Sequence, residues 1–465
     1  MTNETEKAWL PDLLYSDGRF HPDLALVCDT AGNVVRIAPA DQVDRPIRLQ
    51  NRALLPGLIN THSHAFQRVI RGRTEYRSSN QTDSFWTWRE LMYRAANELS
   101  PDDVYAASRM AFLEMALSGI TTVGEFHYLH NSSDGRPYGD PNLLAKEVIR
   151  AASDVGLRIA LLRVAYARAG YQKEANPLQS RFIENSDRYL DNVAALATHV
   201  NTSVGMAWIG VAPHSVRAVP LDYLKRVGEY AAQHGLQIHM HVAEQSAEVS
   251  ACIEEHGRSP IALLETEGLL SERFTAVHAI HVSQKAITGF AKTRAAVCAC
   301  PTTERNLGDG VVPVDGYFQH GVPVSLGTDS QTQIDLLEDA RELEYHLRLQ
   351  RTERNVLAPA DNNETSALAR SLFDCATLNG ARSLGFNGGN FQNGAPADFF
   401  TIDLDDPSIA GASTSDLLSC LIFSASRATV KDVIVAGSRI VEDARHPDQQ
   451  DIVSRFVQLQ KKLWG

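Results

Sequence analysis

Short apolar runs rich in β-prone residues recur through the middle of the chain, with longer helical stretches between them. They are Gly57 to Asn60, Thr121 to Phe126, Arg158 to Ala165, Val204 to Val211, Gln237 to Val242, Thr275 to His278, Ala295 to Ala299 and Val322 to Gly327. A strand that reads as a continuous apolar run is buried on both faces, as in a parallel sheet covered by helices. Two architectures fit, a closed (β/α)8 barrel and a doubly wound open sheet. No Gly-x-Gly-x-x-Gly follows any run, which removes the dinucleotide-binding form of the open sheet. Eight runs is the number that closes a barrel. The expected fold class is α/β, a (β/α)8 TIM-type barrel.

The chain ends read differently. Residues 7 to 55 are short alternating segments broken at Ser16-Asp17-Gly18 and Ala31-Gly32-Asn33, and residues 398 to 445 look alike. This is antiparallel hairpin material, and chain termini often lie close together. A small β-sandwich built from both termini is expected, with parts at 1–55 and 391–465 around a barrel at 56–390. Helical apolar spacing runs from Val453 to Leu463.

Composition excludes several partners. Lys plus Arg number 44 against 56 Asp plus Glu, a formal net charge of −12. That argues against nucleic acid or an anionic membrane as the main partner. The six Cys form no Cys-x-x-Cys pair, so reduced thiols in a cytoplasmic protein are expected. Met1 to Glu6 is polar with no apolar core of a secretory signal, and no run of about 18 apolar residues spans a membrane.

Barrel enzymes carry their chemistry at the C-terminal ends of the strands, and polar residues collect there. The first run leads into His62-Ser63-His64, the fifth into His239-Met240-His241-Val242-Ala243-Glu244, the sixth ends at His278 and the eighth leads to Asp329. In extended structure residues i and i+2 share a face, so His62 and His64 can reach one ion. Three neutral imidazoles and one carboxylate suit Zn²⁺, or Fe²⁺ in some sites, and leave a position for water. The fourth run has no Lys, so nothing there could be carbamylated to bridge two metals. One ion is the simpler reading.

These residues resemble the amidohydrolase superfamily, in its mononuclear deaminase branch. The motif is Pro56-Gly57-x-x-x-x-His62-x-His64, then His241-x-x-Glu244, His278 and Asp329. The resemblance implies His62, His64, His241 and Asp329 as ligands of one divalent ion per subunit, with zinc favoured. It implies Glu244, His278 and Asp329 as catalytic. Glu244 would shuttle protons, which amide and lactam hydrolases relying on the eighth-strand Asp alone do not require. His239 and His281 are read as neighbours, Cys298 and Cys300 as barrel packing, and His127 and His130 are left open.

Longer runs, His64 to Arg68, Asp83 to Arg94, Gly124 to His130, Ala212 to Arg217 and Cys300 to Gly310, resemble the formimidoylglutamate deiminase family within that branch, which serves histidine breakdown. The resemblance implies deimination of a small dicarboxylate, with Gln67, Arg89, Tyr128, His214 and Arg217 lining its pocket. Arg is suited to this because its planar fork binds a carboxylate through two hydrogen bonds. Arg68, Arg71, Arg73 and Arg94 are read as surface ion pairs. Phe85, Trp86 and Trp88 have two readings, core packing or a wall of the site. A homodimer is expected from the family. Three rival functions stay open: a deaminase of nucleobase or triazine substrates, a formimidoyl hydrolase yielding glutamate and formamide, and a non-catalytic barrel.

Overall fold

The computed structural model describes residues 6–76, 84–174, 176–200, 205–360, 362 and 364–465. Residues 1–5 of the polar N-terminus, Asp83 at the head of the aromatic segment and Val204 of the fourth run lie outside them.

The described strands form two sheets. β1 (Lys7–Ser16), β2 (Arg19–Pro22), β3 (Leu24–Cys28), β4 (Val34–Pro39) and β5 (Ile47–Pro56) come first. β6 (Leu58–Ser63), β7 (Ile120–His127), β8 (Arg158–Ala165), β9 (Ala207–Pro213), β10 (Ile238–Val242), β11 (Phe274–His278), β12 (Ala296–Ala299) and β13 (Val324–Leu326) follow. β14 (Phe399–Asp403), β15 (Val430–Val435) and β16 (Ser438–Val441) complete the set.

β6 to β13 pair side by side in chain order, all parallel. The ring closes where β13 returns to β6. A parallel bridge joins Ser63 to Asp329, His64 N donates to Asp329 O at 3.0 Å, and Asp329 N donates to His62 O at 3.0 Å. Every residue of these strands is buried except Trp208, which is why each reads as an unbroken apolar run. Close approach between neighbouring strands demands glycine. A methyl on Gly327 would lie 2.7 Å from His62 Cβ, and one on Gly124 would lie 2.5 Å from Thr61 O.

The remaining strands form the expected β unit from both chain ends, hydrogen-bonded as one mixed sheet in the order β16-β15-β14-β5-β1-β3-β4, with β2 on β1. Trp9, Leu14, Leu26 and Leu54 from the N-terminal strands pack with Phe399 and Ile434 from the C-terminal ones. The polypeptide passes from β5 straight into β6, so the sheet abuts the barrel at the start of its first strand. The C-terminal helix Gln449–Trp464 lies against helix Pro101–Leu117, whose start is fixed by a Ser100–Asp103 capping box with Pro in its first turn. No helix of the described residues is long and apolar enough to cross a membrane.

Candidate active site

Four strand ends bring four side chains together. His62 is the penultimate residue of β6, His64 follows the strand, His241 lies on β10 and Asp329 follows β13. Their ligand atoms all lie within 4.8 Å of one another. His62 Nε2 and His64 Nε2 are each 3.3 Å from Asp329 Oδ1, and His241 Nε2 is 3.1 Å from His62 Nε2.

The hydrogen bonds around this cluster test whether it suits a metal. His64 Nδ1 lies 2.9 Å from Phe126 O, and His241 Nδ1 lies 3.1 Å from His214 O. A carbonyl only accepts, so both rings carry their proton on Nδ1 and turn a bare Nε2 inward. This is the usual support of a metal-ligating histidine. Burial pushes the His62 imidazolium down to about 3, and pushes those of His64 and His241 below the ordinary range. All three are then neutral near pH 7, the form that binds a metal. Lone pairs converging beside a carboxylate in a buried site fit one divalent cation.

Glu244 and His278 stand beside this cluster. His278 Nε2 is 3.8 Å from Glu244 Oε1 and 3.7 Å from Asp329 Oδ2. Burial, with the charges of Asp309, Asp329 and Glu248, lifts the Glu244 carboxyl to about 8 against the opposing pull of His278. Burial alone would push the His278 imidazolium down. Glu244, Glu304 and Asp329 outweigh it and hold that group well above its ordinary value. The pair can therefore hold and pass a proton near neutral pH. Ala243, His278, Ala279 and Asp329 all take left-handed φ angles, 53°, 70°, 48° and 47°. Backbone strain of this kind gathers at functional sites and persists only where packing enforces it.

A cavity opens above the cluster, with His64, His241, Glu244, His278 and Asp329 in its lining. Helix Phe85–Glu98, capped by Ser84, supplies one wall. Phe85, Trp88, Arg89, Met92 and Tyr93 all line it, and their i, i+3, i+4, i+7, i+8 spacing is one helix face. Phe85 and Trp88 are thus wall residues, which decides between their two readings. Gln67, Tyr128, Tyr166, His214 and Arg217 line the remainder, and Gln67 Nε2 donates to Tyr128 OH at 2.9 Å. All of the expected pocket residues meet in this one cavity.

Its polar atoms are conspicuously unsatisfied. Arg89 Nε and Nη1, Arg217 Nη1 and Gln67 Oε1 are buried without a hydrogen-bond partner. Neither guanidinium forms an ion pair with a described carboxylate. Buried polar groups are normally paired, and leaving one unpaired is costly. Donors of this kind suit an anionic ligand.

Other sequence expectations resolve more simply. Arg68 is not a surface pair. It is buried, and its guanidinium grips Glu114, with Nε 2.8 Å from Oε1. Arg71 is the exposed partner of the same carboxylate at 3.0 Å. His239 Nε2 faces Ser383 O at 3.0 Å, His281 Nε2 faces Asp309 O at 3.0 Å, and His130 Nε2 faces Val164 O at 2.8 Å. His127 is buried beside His130, their rings 6.0 Å apart. Cys298 and Cys300 pack with Val277, although Cys300 also lies near His278 and Asp329.

Besides Tyr166, which lines the cavity, two buried carboxylates carry no role in the sequence reading. Glu304 Oε1 accepts from His278 Nδ1 at 3.1 Å and from Cys300 N at 2.9 Å. Glu125 accepts from Ala65 N at 2.8 Å and from Ser63 Oγ at 2.5 Å, bracketing His64. Each falls within a motif noted above, and a carboxylate inside a buried run is the one signal that marks Glu125.

The amidohydrolase family profile matches residues 53–440. The formimidoylglutamate deiminase of Pseudomonas aeruginosa is 36% identical over 460 residues, 98% of each chain. A solved amidohydrolase from Brucella melitensis superposes with a TM-score of 0.91 at 33% identity, over 99% of this chain and all of that one. An adenosine deaminase from Xanthomonas campestris, solved with bound zinc, shares the fold at a TM-score of 0.82 and 22% identity over 98% of both chains. The chain belongs to the amidohydrolase family, as a metal-dependent hydrolase of C–N bonds.

Proposed function

We propose that the protein hydrolyses N-formimidoyl-L-glutamate to N-formyl-L-glutamate and ammonia. One observation carries this reading: the unpaired buried N–H groups of Arg89 and Arg217, in a cavity whose floor is the His/Asp cluster with Glu244 and His278. The 36% identity to a formimidoylglutamate deiminase over nearly the whole chain supports it.

A divalent ion held by His62, His64, His241 and Asp329 would supply Lewis acidity and a hydroxide nucleophile at neutral pH, and this donor set favours zinc. The protein's own groups do the rest. Arg89 and Arg217 bind the two carboxylates and so hold the formimidoyl head over the cluster. Gln67, Tyr128 and His214 add neutral hydrogen bonds that fix its orientation. As the water oxygen bonds to the formimidoyl carbon, Glu244 takes the water proton and delivers it to the terminal nitrogen. Glu244 then takes the proton left on that oxygen and passes it to the same nitrogen, the bond from carbon to that nitrogen breaks, ammonia leaves, and the oxygen becomes the carbonyl of the formyl group on the glutamate nitrogen. His278, charged and in line with Glu244, donates to the oxygen as negative charge develops there.

A nucleobase or triazine would leave both guanidiniums unpaired in a closed cavity, which disfavours that alternative. The test is ammonia release from N-formimidoyl-L-glutamate, guanine and cytosine by wild type, Arg89→Met and Arg217→Met. Release from the first substrate is expected, with kcat/KM lower by about 30-fold or more in each variant, as for truncation of a buried charge pair. Turnover of a nucleobase, or unchanged affinity in both variants, would overturn the reading. Free glutamate and formamide among the products would point to cleavage at the other C–N bond.

A further inference from the structure

Three cations converge on one indole of the helix that walls this cavity. Arg89 Cζ, Lys173 Nζ and Arg217 Cζ lie 4.5, 5.4 and 6.0 Å from the ring centre of Trp86. Arg89 and Trp86 share a helix at i, i+3 spacing. Arg217 comes from the segment after β9, and Lys173 from the segment after β8.

The segment bearing Lys173 is fastened to the one bearing Arg217. Arg168 Nε donates to Arg217 O at 3.2 Å, and Ala167 N and Arg168 N both donate to Ala218 O at 3.0 Å. A methyl on Gly170 would lie 3.1 Å from Lys173 Cδ and 3.6 Å from Arg217 Cγ, so the two side chains run past the same point. Within this segment the charges are treated differently. Arg168 is neutralised by Glu255 at 2.7 Å. Lys173 is exposed and has no carboxylate partner among the described residues.

An aromatic face stabilises each nearby cation. It does not remove the repulsion among three of them, whereas a bound polyanion would. Arg89 and Arg217 line the cavity, and the exposed Lys173 ammonium is the outermost of the three charges.

We propose that Lys173 is a specificity residue, the outer member of a three-cation site that takes the second carboxylate of a dicarboxylate substrate. This rests on the substrate reading above. It predicts discrimination against N-formimidoyl compounds with a single carboxylate, and a salt-dependent capture step.

The test compares wild type, Lys173→Met and Lys173→Arg on N-formimidoyl-L-glutamate and on its monocarboxylate analogue N-formimidoyl-L-norvaline. Lys173→Met should raise KM for the glutamate compound about five- to tenfold with kcat within twofold, and shift the norvaline compound less than twofold. Lys173→Arg should restore most of the affinity, and added salt should narrow the gap. An unchanged KM, or equal shifts on both substrates, would overturn the proposal. Calorimetric binding of N-formyl-L-glutamate reads the same contact without turnover, and equal affinity in wild type and Lys173→Met would again overturn it. Weaker binding in Lys173→Met by an enzyme that turns over neither compound would keep the anion site and sink the reaction reading instead.

Discussion

His278 reaches the cavity with a φ of 70° and both ring nitrogens committed, Nε2 toward Glu244 and Nδ1 toward Glu304 at 3.1 Å. Glu304 is 1% exposed and also caps Cys300 N, so it fixes the tautomer, ring angle and charge of His278 together. It is a positioning residue, because it touches the imidazole and lies outside the cavity lining. An amide in its place keeps an acceptor and loses the charge. Glu304→Gln should therefore lower kcat by about 10- to 100-fold, the usual effect of removing such a support, with KM within threefold and metal content unchanged. Rate and metal analysis of the purified variant checks this, and an unmoved kcat would reduce Glu304 to a helix cap. Sequence alone could not separate those roles. An acidic residue in the first turn of a helix, here Pro301–Leu307, is ordinary helix grammar that complements the helix dipole. His62, His64, His241, Glu244, His278 and Asp329 were legible because each ends an apolar run where a buried polar group has no structural excuse.

At the scale of elements, β6 to β13 were legible because two-sided burial leaves few polar residues to blur a run. Helix Phe85–Glu98 was harder. Its apolar stripe has the same period whether it faces a core or a cavity, and only the position of the helix above the barrel mouth decides. Charges inside elements were hardest of all. Arg163 lies mid-strand in β8 and is fully buried, with Nη2 3.2 Å from Glu184 Oε1 and Nε 2.9 Å from Asn142 Oδ1. Burial alone would raise the Glu184 carboxyl, but the charges of His130 and Arg163, with hydrogen bonds from Arg163 and Asn192, draw it from 4.5 down to about 2. A depressed carboxyl stabilises the fold above its unfolded value and loses that contribution as pH falls through its folded value. About 3 kcal/mol is therefore lost between pH 4.5 and about 2. Glu184→Gln should flatten this acid limb of the unfolding curve. It should also lower stability at pH 7, because Arg163 is left buried and unpaired. Thermal midpoints across pH 2–7 for the two proteins test both halves, and parallel curves would contradict the assignment.

At the scale of the whole molecule, the net charge of −12 coexists with two arginines in the cavity lining, because local donors in a site outweigh a screened surface field. The two ends of the barrel divide the labour. Chemistry gathers at the C-terminal ends of the strands, whereas the terminal sheet is fastened at the other end. Arg158, the first residue of β8, donates from Nε to Asp398 Oδ2 at 2.6 Å, with both residues buried. Asp398 Oδ1 in turn accepts from Ala436 N at 2.7 Å, and its backbone oxygen accepts from Gly57 N at 3.0 Å. One residue thus ties the three together, its carboxylate holding β8 and the β15–β16 turn and its backbone oxygen the start of β6. Asp398→Asn keeps the shape and strands the Arg158 charge, which should cost about 3–5 kcal/mol, as for other broken buried pairs. Arg158→Met added to Asp398→Asn should recover part of that loss, because it removes the stranded charge. Polar residues at the N-terminal face of a barrel serve stability rather than catalysis. The variant should therefore unfold at a lower temperature while keeping wild-type metal content and kcat at temperatures where it remains folded. A large fall in kcat in the cold, with the fold intact by circular dichroism, would show that the terminal sheet reaches the active site after all.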